Sequence, residues 1–134
     1  MKKYYIFSIN RDFYEVYKKN TDVLYKTLLN LYNLDINEAH FGISVFNQLC
    51  NPINKEIVKS HFHTKEAAFK IDFNSFLKIN PSCMILDAEN DIPSDFLNLN
   101  YYEAPLFMID FKNQNYFWLY LNQEKLVFSK QHSY

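Results

Sequence analysis

The spacing of apolar residues changes along this chain, and each change marks an element. Residues 3–9, KYYIFSI, are β-branched and aromatic, which predicts a strand. Alternation puts Tyr5, Phe7 and Ile9 on one face and Tyr4, Ile6 and Ser8 on the other. Both faces are mostly apolar, so the strand belongs inside a sheet rather than at its edge. From Asn10 the period lengthens. Asn10 is a suitable N-cap for a helix beginning at Arg11. Asp12 and Glu15 lie near the positive end of its dipole, and Lys18 and Lys19 near the negative end. Asn20 ends this helix and Thr21 caps the next. From Asp22 to Tyr32, Leu24, Leu28 and Leu31 keep helical spacing, and Tyr25, Leu29 and Tyr32 widen the stripe.

Residues 33–40 are polar and loop-like, with a short turn expected at Ile36 to Ala39. ISVFNQLC (43–50) reads as a short helix ending before Asn51-Pro52, with a strand as the competing reading. EIVKSHFH (56–63) reads as a strand, and AAFKIDF (67–73) as its hairpin partner. FNSFLKI then continues that strand or turns back. CMILDA (83–88) is a short continuous apolar run, as in a central strand. Asp91, Pro93 and Ser94 are helix-start signals, which place a helix at 93–103. PLFMIDF (105–111), YFWLYL (116–121) and EKLVFS (124–129), joined by short turns, predict a three-stranded meander. The expected fold class is therefore α+β. One domain spans 1–134, with a mainly antiparallel sheet, a C-terminal β-meander and the N-terminal helices packed on it.

Composition narrows the function classes. Hydrophobic residues at 49% and charged residues at 22% fit a folded domain. Aromatics at 19% are abundant, and they supply both core volume and the anchors used at protein interfaces. The formal net charge is −1, and Arg11 is the single arginine. No basic footprint for nucleic acid is visible. Gly42 is the single glycine, which leaves no Gly-rich phosphate cradle. The apolar run after the first lysines is about six residues, shorter than the roughly 7–15 of a signal peptide. No stretch approaches the roughly 18 residues of a membrane span. The expectation is a cytoplasmic protein with no membrane partner.

Candidate chemistry is sparse. His61 and His63 would share one face of the predicted strand, a spacing that a metal can use. A third ligand would have to come from His40, His132 or a distant carboxylate, and surface histidines are the preferred reading. Asp87 and Asp110 lie near strand ends, where a carboxylate pair can act as acid and base but more often caps turns. Cys50 and Cys83 are far apart in sequence and fit no metal or redox spacing, so buried reduced thiols are expected. Trp118, the single tryptophan, is expected in the core. No enzyme activity, cofactor or metal is expected. Phe13 and Tyr17 stand one helical turn apart and share a face. Val16 lies near their side, whereas Tyr14 projects away from Val16. The residues alone leave the pair open between core and docking surface.

Two stretches carry a resemblance to a known family. YYIFSINRDFYEVY followed by VLYKTLLNLY, and Asp110-Phe111 followed by Tyr116 and Trp118-Leu119, resemble the sporulation inhibitor of replication family (SirA). LCNPIN at 49–54 resembles the turn after that family's middle helix, and 54–104 matches by element order alone. The resemblance implies a non-enzymatic inhibitor that binds the N-terminal domain of the replication initiator DnaA. Such a protein blocks assembly of the initiator at the origin when a cell commits to sporulation. Carried over by position, the docking pair is Phe13 and Tyr17, with Tyr14 beside them on the same helix. Val45, Gln48 and Leu49 are the flanking candidates. The alternatives are an interaction module with another partner, or a small enzyme or metal-binding protein using His61 and His63.

Overall fold

Strand β1 (Lys2–Ile9) is paired along both of its edges. The computed structural model describes residues 1–33 and 46–119. Its other strands are β2 (Cys50–Asn51), β3 (Ala68–Asp72), β4 (Ser75–Ile79), β5 (Met84–Ala88), β6 (Leu106–Asp110) and β7 (Asn115–Leu119). They form one sheet in the order β3-β4-β5-β1-β6-β7, with β2 beside β1 and every pairing antiparallel. Tyr5 pairs with both Ile85 of β5 and Ile109 of β6, so those strands occupy opposite edges of β1. Ser8 pairs with both Leu106 of β6 and Asn51 of β2, so β2 shares the β5 edge.

The expected alternation along β1 divides the core in two. Tyr4 and Ile6 join Leu77, Leu86 and Met108 beneath Val58, Phe96 and Tyr101. Phe7 and Ile9 join Phe107, Ile109 and Trp118 beneath Leu24, Tyr25 and Leu28. Each large side chain buried in this way contributes about 1.5–3 kcal/mol. Helices therefore cover both sheet faces. On one face lie α1 (Arg11–Tyr17), α2 (Thr21–Tyr32) and a helical turn at 46–49. On the other lie α3 (Lys55–His61) and α4 (Ser94–Leu97). The result is an α+β domain built on an antiparallel sheet. Among the described residues no helix is long and apolar enough to cross a membrane.

Several local expectations change. Residues 55–61 are helical rather than extended. Val58 is fully buried, and Ile57 and Phe62 pack beside it, so Val58 and Phe62 act as an i, i+4 pair on one helical face. β3 consequently pairs with β4, into which FNSFLKI turns back. The helix expected at 93–103 stops at Leu97. The chain then turns inward, burying Leu99, Tyr101 and Ala104, which a straight helix cannot place together in the core. The backbone N–H of Asn54 donates to the Tyr101 hydroxyl at 2.8 Å and holds this turn. At 43–50, the turn at 46–49 is helical and Cys50 already belongs to β2. Asn20, rather than Thr21, stands at the N-cap of α2. It also donates through Nδ2 to the Val16 carbonyl at 3.2 Å, closing α1. The turn at Ile36 to Ala39, Gly42 and the third meander strand at 124–129 lie outside the described residues.

Candidate functional site

Helix α1 is seven residues long and contributes no fully buried side chain. It is too short to stand alone, so its attachments decide its position. At its start, Asn10 Oδ1 accepts the Asp12 N–H at 2.9 Å, the expected cap. The Asn10 N–H donates to the Leu49 carbonyl at 2.8 Å. Arg11 donates from Nε to the Glu103 carbonyl at 3.3 Å and from Nη2 to the Tyr102 carbonyl at 3.1 Å. At its end, the Trp118 Nε1–H donates to the Lys18 carbonyl at 3.3 Å. Trp118 is buried, as expected, and packs on Phe107 with centroids 4.8 Å apart. Tyr14 also rests against Trp118.

Phe13 and Tyr17 flank this anchored side. Their rings are 6.4 Å apart and inclined by only 19°. Both are half-buried: they pack along the helix-covered core and leave the rest of each ring open. The choice between core and surface thus has an intermediate answer, because the pair borders the core and stays accessible. Val16 is 59% exposed and extends the apolar patch outward. The Lys18 ammonium lies 2.8 Å from Glu15, a solvent-facing pair of small energetic value.

The flanking candidates separate. Gln48 is exposed on the helical turn at 46–49. Leu49 is only 4% exposed and is a core residue, so its contribution to α1 is the backbone carbonyl that holds Asn10. Val45 lies outside the described residues. Tyr102 is an addition: it is exposed, and its carbonyl is held by Arg11 at the start of α1. A contact across so much sequence leaves no local signal.

A second aromatic group lies at the far end of α2. Tyr32 stacks on Phe111 at 4.5 Å, and both contact Tyr5. The Tyr5 phenol is pushed up to about 12, first by its hydrogen bond with Tyr32 and then by burial.

The sites considered for chemistry fall apart. His61 ends α3, and its Nε2 lies 2.8 Å from the Asp95 carbonyl. His63 follows in the left-handed region at φ 54°, so the two histidines do not share a strand face. Asp87 is opposite Lys3, on the face of Tyr5, and its carboxylate lies 3.9 Å from that ammonium. Asp110 adjoins Ile109, the partner of Tyr5, and so belongs to the face of Tyr4. The carboxylates therefore occupy opposite sheet faces and cannot act as one acid/base pair. Asp110 caps a turn, accepting from the Asn113 side chain at 2.6 Å and its N–H at 3.2 Å. Among the described residues no three His, Cys, Asp or Glu side chains are grouped to hold a metal. Cys50 and Cys83 are buried free thiols. Burial pushes the Cys50 thiol up to about 12, with Cys83 nearby adding to the shift.

No family model matches the chain, and no curated protein matches it.

Proposed function

We propose that the chain is a non-enzymatic protein-docking inhibitor whose binding helix is α1. Its partner is the N-terminal domain of the replication initiator DnaA, and docking blocks assembly of the initiator at the origin as part of a sporulation programme. The partner and the setting come from the resemblance of the two chain ends to the sporulation inhibitor of replication family. The observation that carries the docking reading is the stacked, half-open Phe13–Tyr17 pair beside exposed Val16. Aromatic rings already held in place lose little further freedom when a partner covers them, and such anchors dominate interface energetics. The near-zero net charge accords with a protein partner rather than a nucleic acid.

The test is a titration of the full chain with the isolated N-terminal domain of the initiator, followed by calorimetry or fluorescence. Saturable 1:1 binding is expected, and Phe13→Ala or Tyr17→Ala weakens it by roughly 30-fold or more, about 2 kcal/mol. Absence of binding by a folded wild type rejects the initiator as partner. Binding that survives both substitutions in folded variants moves the site away from α1.

A further inference from the structure

Two cysteines that are distant in sequence converge on one edge of β1. Cys50 is opposite Ile9 in the β1–β2 ladder. Met84 is opposite Ile6 in the β1–β5 ladder, and Cys83 precedes it. The Asn80 N–H donates to the Cys83 carbonyl at 3.0 Å, so the β4–β5 ladder continues past Ile79 and Met84 to Cys83. Cys83 therefore stands level with Phe7, and Cys50 level with Ile9. Both thiols point to the face of Phe7 and Ile9, and both belong to the core cluster there. A second contact joins the two segments, since the Ile53 N–H donates to the Pro81 carbonyl at 2.8 Å. Two strand steps correspond to about 6.6 Å between Cα atoms. This is near the upper end of the roughly 4.4–6.8 Å spanned by disulfides.

We propose that Cys50 and Cys83 form a dithiol site that closes to an intramolecular disulfide by exchange with a small-molecule disulfide. Cys83 is 9% exposed and Cys50 only 3%, so Cys83 meets the reagent first. Its thiolate attacks one reagent sulfur, forming a mixed disulfide and expelling one small thiolate. The Cys50 thiolate then attacks the Cys83 sulfur and expels the second. The protein loses two thiol protons, and the reagent leaves as two reduced thiols. Burial raises both thiols, so the attacking thiolate is scarce at neutral pH and exchange is slow there. The bridge would fasten β2 to the β4–β5 hairpin. Leu49, next to Cys50, holds Asn10 at the start of α1, so the bridge also braces that helix. None of this depends on what α1 docks.

The test uses the full chain, equilibrated with oxidised glutathione at pH 9, quenched with acid, denatured, alkylated and weighed intact. The expected product is a monomer that has lost two hydrogens and takes up no alkyl group. Its Tm exceeds that of the reduced form by roughly 5–10 °C, and reductant reverses the change. Below pH 9 the rate should fall about tenfold per pH unit. Stable glutathione adducts, two thiols still free at equilibrium, or bridges only between chains would each overturn the proposal. Because these readouts are made on the wild type, a variant that misfolds cannot obscure them.

Discussion

The Tyr14 ring meets the Trp118 ring edge to face, with centroids 4.9 Å apart and planes at 84°. Together with the indole hydrogen bond to Lys18, this contact ties α1 to β7. The helix thus has one side fixed and another side open.

That asymmetry predicts an ordering of stabilities. Trp118→Ala or Tyr14→Ala should cost about 2–4 kcal/mol, because each empties a packed site at the joint between α1 and the sheet. Phe13→Ala should cost about 1 kcal/mol, since its ring, half-buried like that of Tyr14, stacks on half-buried Tyr17 rather than on the buried Trp118. Urea-denaturation midpoints compare the three. Equal losses would mean that Phe13 is as much a structural anchor as Tyr14.

Val16 offers a cleaner probe of docking than the aromatic pair. It is exposed, so Val16→Glu should change stability by about 0.5 kcal/mol or less. Placed in an apolar interface, the same carboxylate should reduce affinity for the proposed partner, the initiator's N-terminal domain, by tenfold or more, about 1.4 kcal/mol. The pair of measurements separates a binding defect from a folding defect.

Alkaline pH should destabilise the protein through groups whose ionisation the fold suppresses, Cys50 and Tyr5 foremost among them. The Cys50 thiol rises from 9.0 to about 12, mainly by burial. The Tyr5 phenol rises from 10.0 to about 12, mainly by its hydrogen bond with Tyr32. In both cases the folded state retains a proton that the unfolded chain releases. Their stabilisation is therefore complete below pH 9 and is lost as pH rises from 9 to 12. Thermal melts across that range should show a falling Tm. Cys50→Ala should flatten the early part of the fall, and Tyr32→Phe the later part.

The turn between β6 and β7 carries a conformational cost that glycine would remove. Gln114 sits at φ 55°, in the left-handed region. Gln114→Gly should stabilise by up to about 1 kcal/mol. In the same turn, Asp110→Ala should destabilise by about 1–3 kcal/mol, because it removes the acceptor for both Asn113 donors. Chemical denaturation of the two variants should move the midpoint in opposite directions.

Much of the fold is legible where one local signal dominates. The two-faced apolar pattern of residues 3–9 places β1 inside the sheet, and Asn10 with Leu24 and Leu28 announces the two helices beside it. The stretch 56–63 misleads because Ile57, Val58 and Phe62 suggest a strand, whereas Lys55–His61 is helical. Its helical face rests on Val58 and Phe62, with Ile57 beside them, too short a stripe to outweigh composition. At the candidate site, the shared face of Phe13 and Tyr17 follows from spacing. Their degree of exposure does not, because it depends on where Trp118 holds Tyr14. The placement of Leu49 in the core and the convergence of Cys50 with Cys83 depend on strand register, which no single segment encodes.

The position of β1 has a kinetic consequence. It is the first strand in the chain, yet its partners β5 and β6 come late. During synthesis an apolar strand with two open edges must wait until residues beyond Asp110 have emerged. Until then it is a surface for chaperones or for other nascent chains. Folding should accordingly be governed by long-range closure and run in the millisecond-to-second range rather than in microseconds.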